Sequence, residues 1–243
     1  MNKAIRRIVN KDIKSIEHNK LNESGIYIEF NEDNMLSARA MIIGPKDSIY
    51  EGGFLFFFIE FPKNYPYSPP DVAYVPVNNI RIHPNLYVGH HKSGYGKVCL
   101  SILGTWNGPQ WSTIMDISTV LLSIQSVLDK YPLLNEPGYT LSDKNHHKII
   151  HDFNDVTFSE TILSLIIKNY ERTPGEFIIF KDIMIDYIKN NFININNNIN
   201  KRLKIKKRNI VHGLYRLNYP IDNDKILKEY LLFCNRNNLN ISL

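Results

Sequence analysis

Long apolar runs are missing from this chain. None approaches the ~18 residues that a membrane-spanning helix requires. The longest, Phe54 to Phe61, contains Glu60 and stops at Pro62. The first residues, Met1-Asn2-Lys3-Ala4-Ile5-Arg6-Arg7, lack the apolar segment and cleavage site of a secretory leader, so residence in the cytoplasm, or also in the nucleus, is expected. Cysteine is scarce too. Cys99 and Cys234 are too few for a disulfide scaffold, and in a reducing compartment a free thiol can serve as a nucleophile. The spacing of His83, His90, His91 and Cys99 fits neither a C-x-x-C nor an H-x-x-x-H pattern, which argues against zinc and predicts no metal or other cofactor. There is no internal repeat. Charge is nearly balanced, with 29 Lys and Arg against 24 Asp and Glu. The excess steers acidic partners without identifying nucleic acid as a ligand.

What is present suffices for a core of ~150 residues and a sizeable appendage within 243 residues. Residues Ala4 to Lys20 place Ile5, Ile8, Val9, Ile13 and Ile16 near one helical face. Gly25 to Phe30, Met35 to Ile43, Gly53 to Phe61 and Asp71 to Val75 have strand character and short connections, which predicts an antiparallel meander. From Ile80 to Trp111 periodicity fades, and long irregular segments inside compact domains are usually functional. A helix is expected from Thr113, capped there, with Ile114, Ile117, Val120, Leu121, Ile124 and Leu128 as its stripe. Helical patterns follow over Ser142–Tyr170, with a break near Asn154-Asp155, then over Phe177–Phe192 and Asp222–Asn237. Asn194 to Asn200 reads as loop or disorder. The class is α+β. Pro174-Gly175 suggests a division into residues 1–173 and a helical extension, 174–243.

Cys99 lies in Gly96-Lys97-Val98-Cys99-Leu100-Ser101-Ile102-Leu103. Glycines before it permit unusual backbone angles, and Lys97 adds charge. Those neighbours alone fit a buried structural thiol. Four ordered motifs change that reading. They are Gly44-Pro45-Lys46-Asp47-Ser48-Ile49-Tyr50-Glu51-Gly52-Gly53, Phe61-Pro62-Lys63-Asn64-Tyr65-Pro66-Tyr67-Ser68-Pro69-Pro70, His83-Pro84-Asn85, and the Cys99 segment followed by Trp111-Ser112. Together, over roughly residues 3–140, they resemble the ubiquitin-conjugating enzyme family. Leu103-Gly104-Thr105-Trp106, Gly108-Pro109-Gln110-Trp111-Ser112 and Asn135-Glu136-Pro137-Gly138-Tyr139 are most similar to its larger Use1-type class, which also carries a C-terminal helical extension.

The resemblance implies the UBC fold: an N-terminal helix, a four-stranded meander, an irregular active-site segment and C-terminal helices. It implies a transferase that takes ubiquitin, or a ubiquitin-like modifier, from an activating enzyme as a thioester on Cys99. A substrate lysine or a ligase cysteine then accepts the acyl group. ATP is used only by the upstream enzyme. Asn85 is implied as an amide donor to the oxyanion, and bracing the loop is its competing role. For His83, fixing loop geometry is favoured over acting as a base. The gate position of the family falls at Asn135 or Glu136, depending on a one-residue alignment choice; only Glu136 could take a proton. Arg6 and Arg7 on the first helix, Tyr67, and Trp111-Ser112-Thr113-Ile114 align with surfaces that meet the activating enzyme and ligases. Ser112-Thr113-Ile114 departs from the usual Ser-Pro-Ala-like ligase loop.

The thirteen residues Leu86–Val98 between Asn85 and Cys99 outnumber those of most family members, so Val88 to Tyr95 must bulge beside the site, with solvated histidines. Lys201–Arg208 reads as a solvated basic face before a nuclear signal or nucleic-acid patch. Cys234 reads as a core residue. Two rival functions use the same residues: a non-enzymatic binding variant of the fold, and a Cys–His hydrolase built on Cys99 and His83.

Overall fold

A computed structural model describes residues 2–202 and 208–239. Six strands form one antiparallel sheet: β1 (Ile26–Phe30), β2 (Ser37–Ile43), β3 (Phe54–Glu60), β4 (Asp71–Val75), β5 (Leu86–His90) and β6 (Gly96–Val98). The order is β1-β2-β3-β4-β6-β5. The expected α+β arrangement and four-strand meander are present, and the sheet continues beyond them. Part of the segment expected to be irregular pairs as a hairpin, with Leu86 opposite Val98 and His90 opposite Gly96. Four residue steps on β5 face two on β6, so β5 carries a bulge, at Gly89 (φ 76°) and His90 (φ 68°). Gly96 is required: a Cβ there would lie 2.0 Å from the Tyr87 carbonyl oxygen.

β3 explains the layering. Leu55, Phe57 and Ile59 point into one core with helix α1 (residues 3–18) and helix α2 (Ile117–Val127). Phe54 and Phe56 point into a second core on the opposite face. That face is covered by α3 (residues 144–171), α4 (Lys181–Arg202) and α5 (Asn223–Arg236), together with the turn Gly175–Phe180. Phe177 stacks on Phe56 at 4.7 Å and meets Phe58 edge-on at 4.8 Å. α3 serves both cores, with Leu165 in the first and Ile162 and Ile166 in the second. It approaches β3 closely because Gly53 has no side chain; a Cβ there would sit 2.9 Å from that of Leu165. A two-stranded hairpin, β7 (Arg208–His212) and β8 (Leu217–Ile221), packs with the start of α3 in a third, smaller cluster.

Several local expectations change. α2 starts at Ile117, not Thr113, and Asp116 is its cap: the carboxylate accepts from the Thr119 N–H at 3.0 Å. The preceding carbonyls are held by α1, with Arg7 donating to Met115 (2.7 Å) and Lys11 to Ile114 (2.6 Å), so Ile114 projects outward instead of joining the stripe. Asn194–Asn200 is helical within α4, because Ile195 and Ile199 continue the buried row of Met184 and Ile188. Burial of that row outweighs the weak helix propensity of asparagine. α3 does not break at Asn154, whose side chain turns inward to the Lys130 carbonyl at 3.0 Å. Its irregularity is a π-helical stretch at Thr161–Lys168. Most of the basic run, 203–207, lies outside the described residues. No helix among the described residues is long and apolar enough to cross a membrane.

Candidate active site

The His83-Pro84-Asn85-Leu86 segment is a β-turn, closed by the Leu86 N–H donating to the His83 carbonyl at 3.1 Å. Proline at its second position presets φ for such a turn. His83 anchors the turn from within. Its ring is fully buried, its Nδ1 accepts the Asn85 N–H at 2.9 Å, and its Nε2 therefore carries the proton donated to the Val127 carbonyl at 2.8 Å. Val127 ends α2, so the ring also satisfies an orphan carbonyl at a helix C-terminus. Burial, with Arg81 nearby, pushes the His83 pKa down to about 4. The imidazole is thus neutral at pH 7, with both nitrogens engaged.

Asn85 faces Cys99 across the start of the hairpin, and the two residues exchange a pair of bonds. The Cys99 N–H donates to the Asn85 carbonyl at 2.8 Å, and the Asn85 side-chain amide donates to the Cys99 carbonyl at 2.6 Å. Only the amide nitrogen can donate to a carbonyl, which fixes the orientation of the group. Its Oδ1 has no partner among the described residues, and its second N–H is not used by that bond.

Cys99 itself is buried, at 2% exposure, and is a free thiol. The backbone on both sides of it is clasped by Thr105. That hydroxyl lies 2.7 Å from the Val98 carbonyl and 3.1 Å from that of Leu100, and it accepts the Leu100 N–H at 2.9 Å. One hydroxyl proton serves the nearer carbonyl. Thr105 sits inside a motif matched in sequence, yet nothing in the spacing showed that it would reach back around the thiol.

Arg81 is a second contributor without a sequence signal. Its guanidinium carbon lies over two rings, 3.6 Å from the centre of Tyr87 and 4.1 Å from that of Tyr215. Its edge donates to the carbonyls of His83 (3.3 Å) and Pro84. Tyr215 belongs to the β7–β8 loop and also donates to the Glu136 carboxylate. Glu136 is therefore engaged, while the Asn135 amide turns back to the Pro132 carbonyl at 3.1 Å.

The expected partner-facing residues gather at one end. Arg6 is exposed, as are Tyr67 (74%) and Ile114 (76%). Arg7 is turned inward: it donates to the carbonyls of Thr113 and Met115 and lies 3.7 Å from the buried Asp12. Trp111 donates to the Pro66 carbonyl at 2.7 Å and packs near Tyr65, while Ser112 is half-buried and Thr113 exposed. Asp12 ties this end together, accepting from the Tyr65 hydroxyl (2.5 Å) and the Ile117 N–H (2.9 Å). Burial raises its pKa despite those donors. In the Leu86–Val98 insert His90 is exposed, but His91 is held by Asp71 at 3.0 Å and Ser93 at 2.7 Å, so it is not the solvated side chain expected. No cluster of three or more His, Cys, Asp or Glu able to hold a metal occurs among the described residues.

The family model described as ubiquitin-conjugating enzyme matches residues 8–154. The chain is 39% identical over 163 residues to ubiquitin-conjugating enzyme E2 Z of Xenopus tropicalis, across 66% of this chain and 49% of that protein. It is 40% identical over 156 residues to ubiquitin-conjugating enzyme E2 Z of Homo sapiens, across 63% of this chain and 41% of that one. To putative ubiquitin-conjugating enzyme E2 38 of Arabidopsis thaliana it is 44% identical over 124 residues, across 48% and 35%. The match thus spans less than half the length of each of these relatives. Six antiparallel strands after an N-terminal helix, the turn facing Cys99 and the family match over most of the first 154 residues agree. This chain belongs to the ubiquitin-conjugating enzyme family.

Proposed function

We propose that this chain accepts ubiquitin, or a ubiquitin-like modifier, as a thioester on Cys99 and passes it to a lysine amine or a ligase cysteine. The reciprocal pair of bonds between Asn85 and Cys99 is the observation that carries this reading. In the first step the Cys99 thiolate, its proton released to solvent, attacks the thioester carbonyl on the activating enzyme. A new C–S bond forms, the old one breaks, and the activating enzyme's thiolate leaves. One thioester replaces another, so the acyl group stays activated. In the second step an amine attacks the Cys99 thioester, the C–N bond forms, the amine loses a proton, and the Cys99 thiolate departs.

Asn85 braces the loop in this reading, through the bond to the Cys99 carbonyl, and its second N–H is the candidate donor to the oxyanion. Loss of one such donor costs about 3 kcal/mol in well-studied enzymes, roughly a hundredfold in rate. His83 holds the turn. The gate position falls to Asn135 or Glu136, and the end bearing Arg6, Tyr67 and Ile114 is the docking surface for the activating enzyme and ligases. The membership of the Use1-type class is supported by the Leu103–Trp106 and Asn135–Tyr139 motifs and by the helical extension.

A charging assay tests the reading. With ATP, an activating enzyme and a modifier, wild type should form an adduct that a thiol reductant removes. Cys99→Ser should form none, or an oxyester that resists the reductant. Asn85→Ala should still charge and then discharge to lysine roughly a hundredfold more slowly. A panel of activating enzymes and modifiers identifies the class. A thiol-labile adduct on Cys99→Ser, or no adduct on wild type with any pair, defeats the proposal. The hydrolase alternative is disfavoured because both His83 nitrogens are engaged and the ring is held neutral.

A further inference from the structure

The contact between the β7–β8 loop and the active-site turn belongs to no part of the reaction described above. Residues 213–216 join the two strands, and two of them, Tyr215 (φ 54°) and Arg216 (φ 53°), are left-handed. Successive left-handed residues with bulky side chains are unfavourable and persist only where the surroundings impose them. Here the surroundings are visible. The Arg81 guanidinium lies over the Tyr215 ring at 4.1 Å, and that ring meets Phe153 edge-on at 5.8 Å. Its hydroxyl donates to Glu136. Burial holds that hydroxyl far above its ordinary pKa, so it remains a donor. Arg81 also lies over the Tyr87 ring, at 3.6 Å. A guanidinium packed against two rings loses rotamer freedom, which keeps its planar fork of N–H groups on its acceptors. Those groups point at the carbonyls of His83 and Pro84, and the second of these is the peptide leading into Asn85.

We propose that Tyr215 is a positioning residue of the active site, its ring acting through Arg81 on the turn that aims Asn85 at Cys99. The inference rests on the proposal that Cys99 carries the thioester. It assigns the hairpin a share in transfer. Without the Tyr215 ring Arg81 loses one of its two aromatic partners, the guanidinium gains rotamers, and the Pro84–Asn85 peptide loses its fixed orientation. Misplacement of a reacting group by about 1 Å costs up to a hundredfold in rate.

The test is single-turnover discharge of the purified thioester to free lysine, beside the charging rate and the thermal midpoint of each variant. Tyr215→Leu should slow discharge about 10- to 100-fold and alter charging far less. Tyr215→Phe keeps the ring on Arg81 and should recover most of the rate. Arg81→Lys should match the leucine variant, since an ammonium cannot fill the stacked, forked site. Added to Asn85→Ala, Tyr215→Leu should cause little further loss, because both act on one group. The Asn85 side-chain amide signal in a nitrogen-15 spectrum should move in Tyr215→Leu and stay in place in Tyr215→Phe. Wild-type discharge by a folded Tyr215→Leu, fully multiplicative losses with Asn85→Ala, or an unmoved amide signal overturns the inference. Absence of any adduct on wild type would instead count against the assignment of Cys99, and the amide signal would still decide the positioning.

Discussion

Residues 177–199 and 223–234 meet the sheet through side chains such as Phe177, Met184, Ile188, Tyr230 and Phe233, all nearly or fully buried on its second face. The hairpin between them docks differently. It too buries Ile210, Leu217 and Ile221, but its fixing points are polar. Arg208 lies 2.8 Å from Asp152 and 2.5 Å from Asp155. Tyr219 donates to the buried Glu160 at 2.8 Å, where Asn78 (2.6 Å) and Ser164 (2.5 Å) also donate. Tyr215 donates to Glu136. The contrast is instructive because apolar burial is strong but tolerant of small shifts, whereas hydrogen bonds are weak in net and strict in geometry. The helices hold the fold together; the hairpin sets positions at the end where Asn85 and Cys99 meet.

The sharpest way to break this division is Phe177→Ala. It should cost about 3–5 kcal/mol, read as a lower denaturation midpoint. Discharge of thioester by the molecules still folded should not change; a parallel fall in that rate would show that the helices position the site as well.

The His83 turn, tied to α2 through Val127 and to the hairpin through Arg81, should show itself through pH. Its folded pKa, about 4, lies below the ordinary 6.5. Above pH 6.5 both states are neutral and the stabilising contribution is complete. As pH falls through 6.5 towards 4 the unfolded state takes up the proton first, and up to ~3 kcal/mol is lost. Asp12 acts in the opposite sense, since its raised pKa lets the native state bind its proton earlier. Urea midpoints from pH 7 to 4 should therefore fall in wild type and fall less in His83→Asn.

Tyr219→Phe should cost about 1–3 kcal/mol, because it removes one donor from a buried carboxylate and leaves the ring in place. Equal stability would mean that water replaces the hydroxyl and that the polar anchor is dispensable. The smallest effect should come from Arg208→Ala. Arg208 is 40% exposed, so its ion pairs contribute no more than ~1 kcal/mol and the difference from wild type should vanish at high salt.

Much of this architecture is legible in the residues themselves. Strand boundaries follow from the Asn31–Asn34 turn and the Gly44-Pro45 break, and α5 from Asp222 and the spacing of Ile226, Tyr230 and Phe233. The unbroken run Phe54-Leu55-Phe56-Phe57-Phe58-Ile59 lacks the polar alternation of a strand with one wet face, which fits a sheet covered on both sides. β5 and β6 were obscured because Gly89, His90 and the bulge destroy the period-two signal. The β7–β8 hairpin did leave alternation in Leu217, Tyr219 and Ile221, but Pro220 and the basic run before it masked the pattern. Pro220 is tolerated because this sheet has only two strands, both of them edges. Cys99 could be singled out only through the ordered motifs around it. Arg81, Thr105 and Tyr215 could not, since contacts such as Thr105 to Val98 and Arg81 to Tyr215 carry no local period.

The bulge in β5 has one more consequence. β5 is the outer strand of the six, bonded on one side to β6 and open on the other. An open strand presents a row of N–H and C=O groups on which another chain can template itself. Left-handed backbone at Gly89 and His90 interrupts that row. The outer strand of the sheet is thereby spoiled as a site for aggregation, which lets the chain keep an open sheet edge close to Cys99.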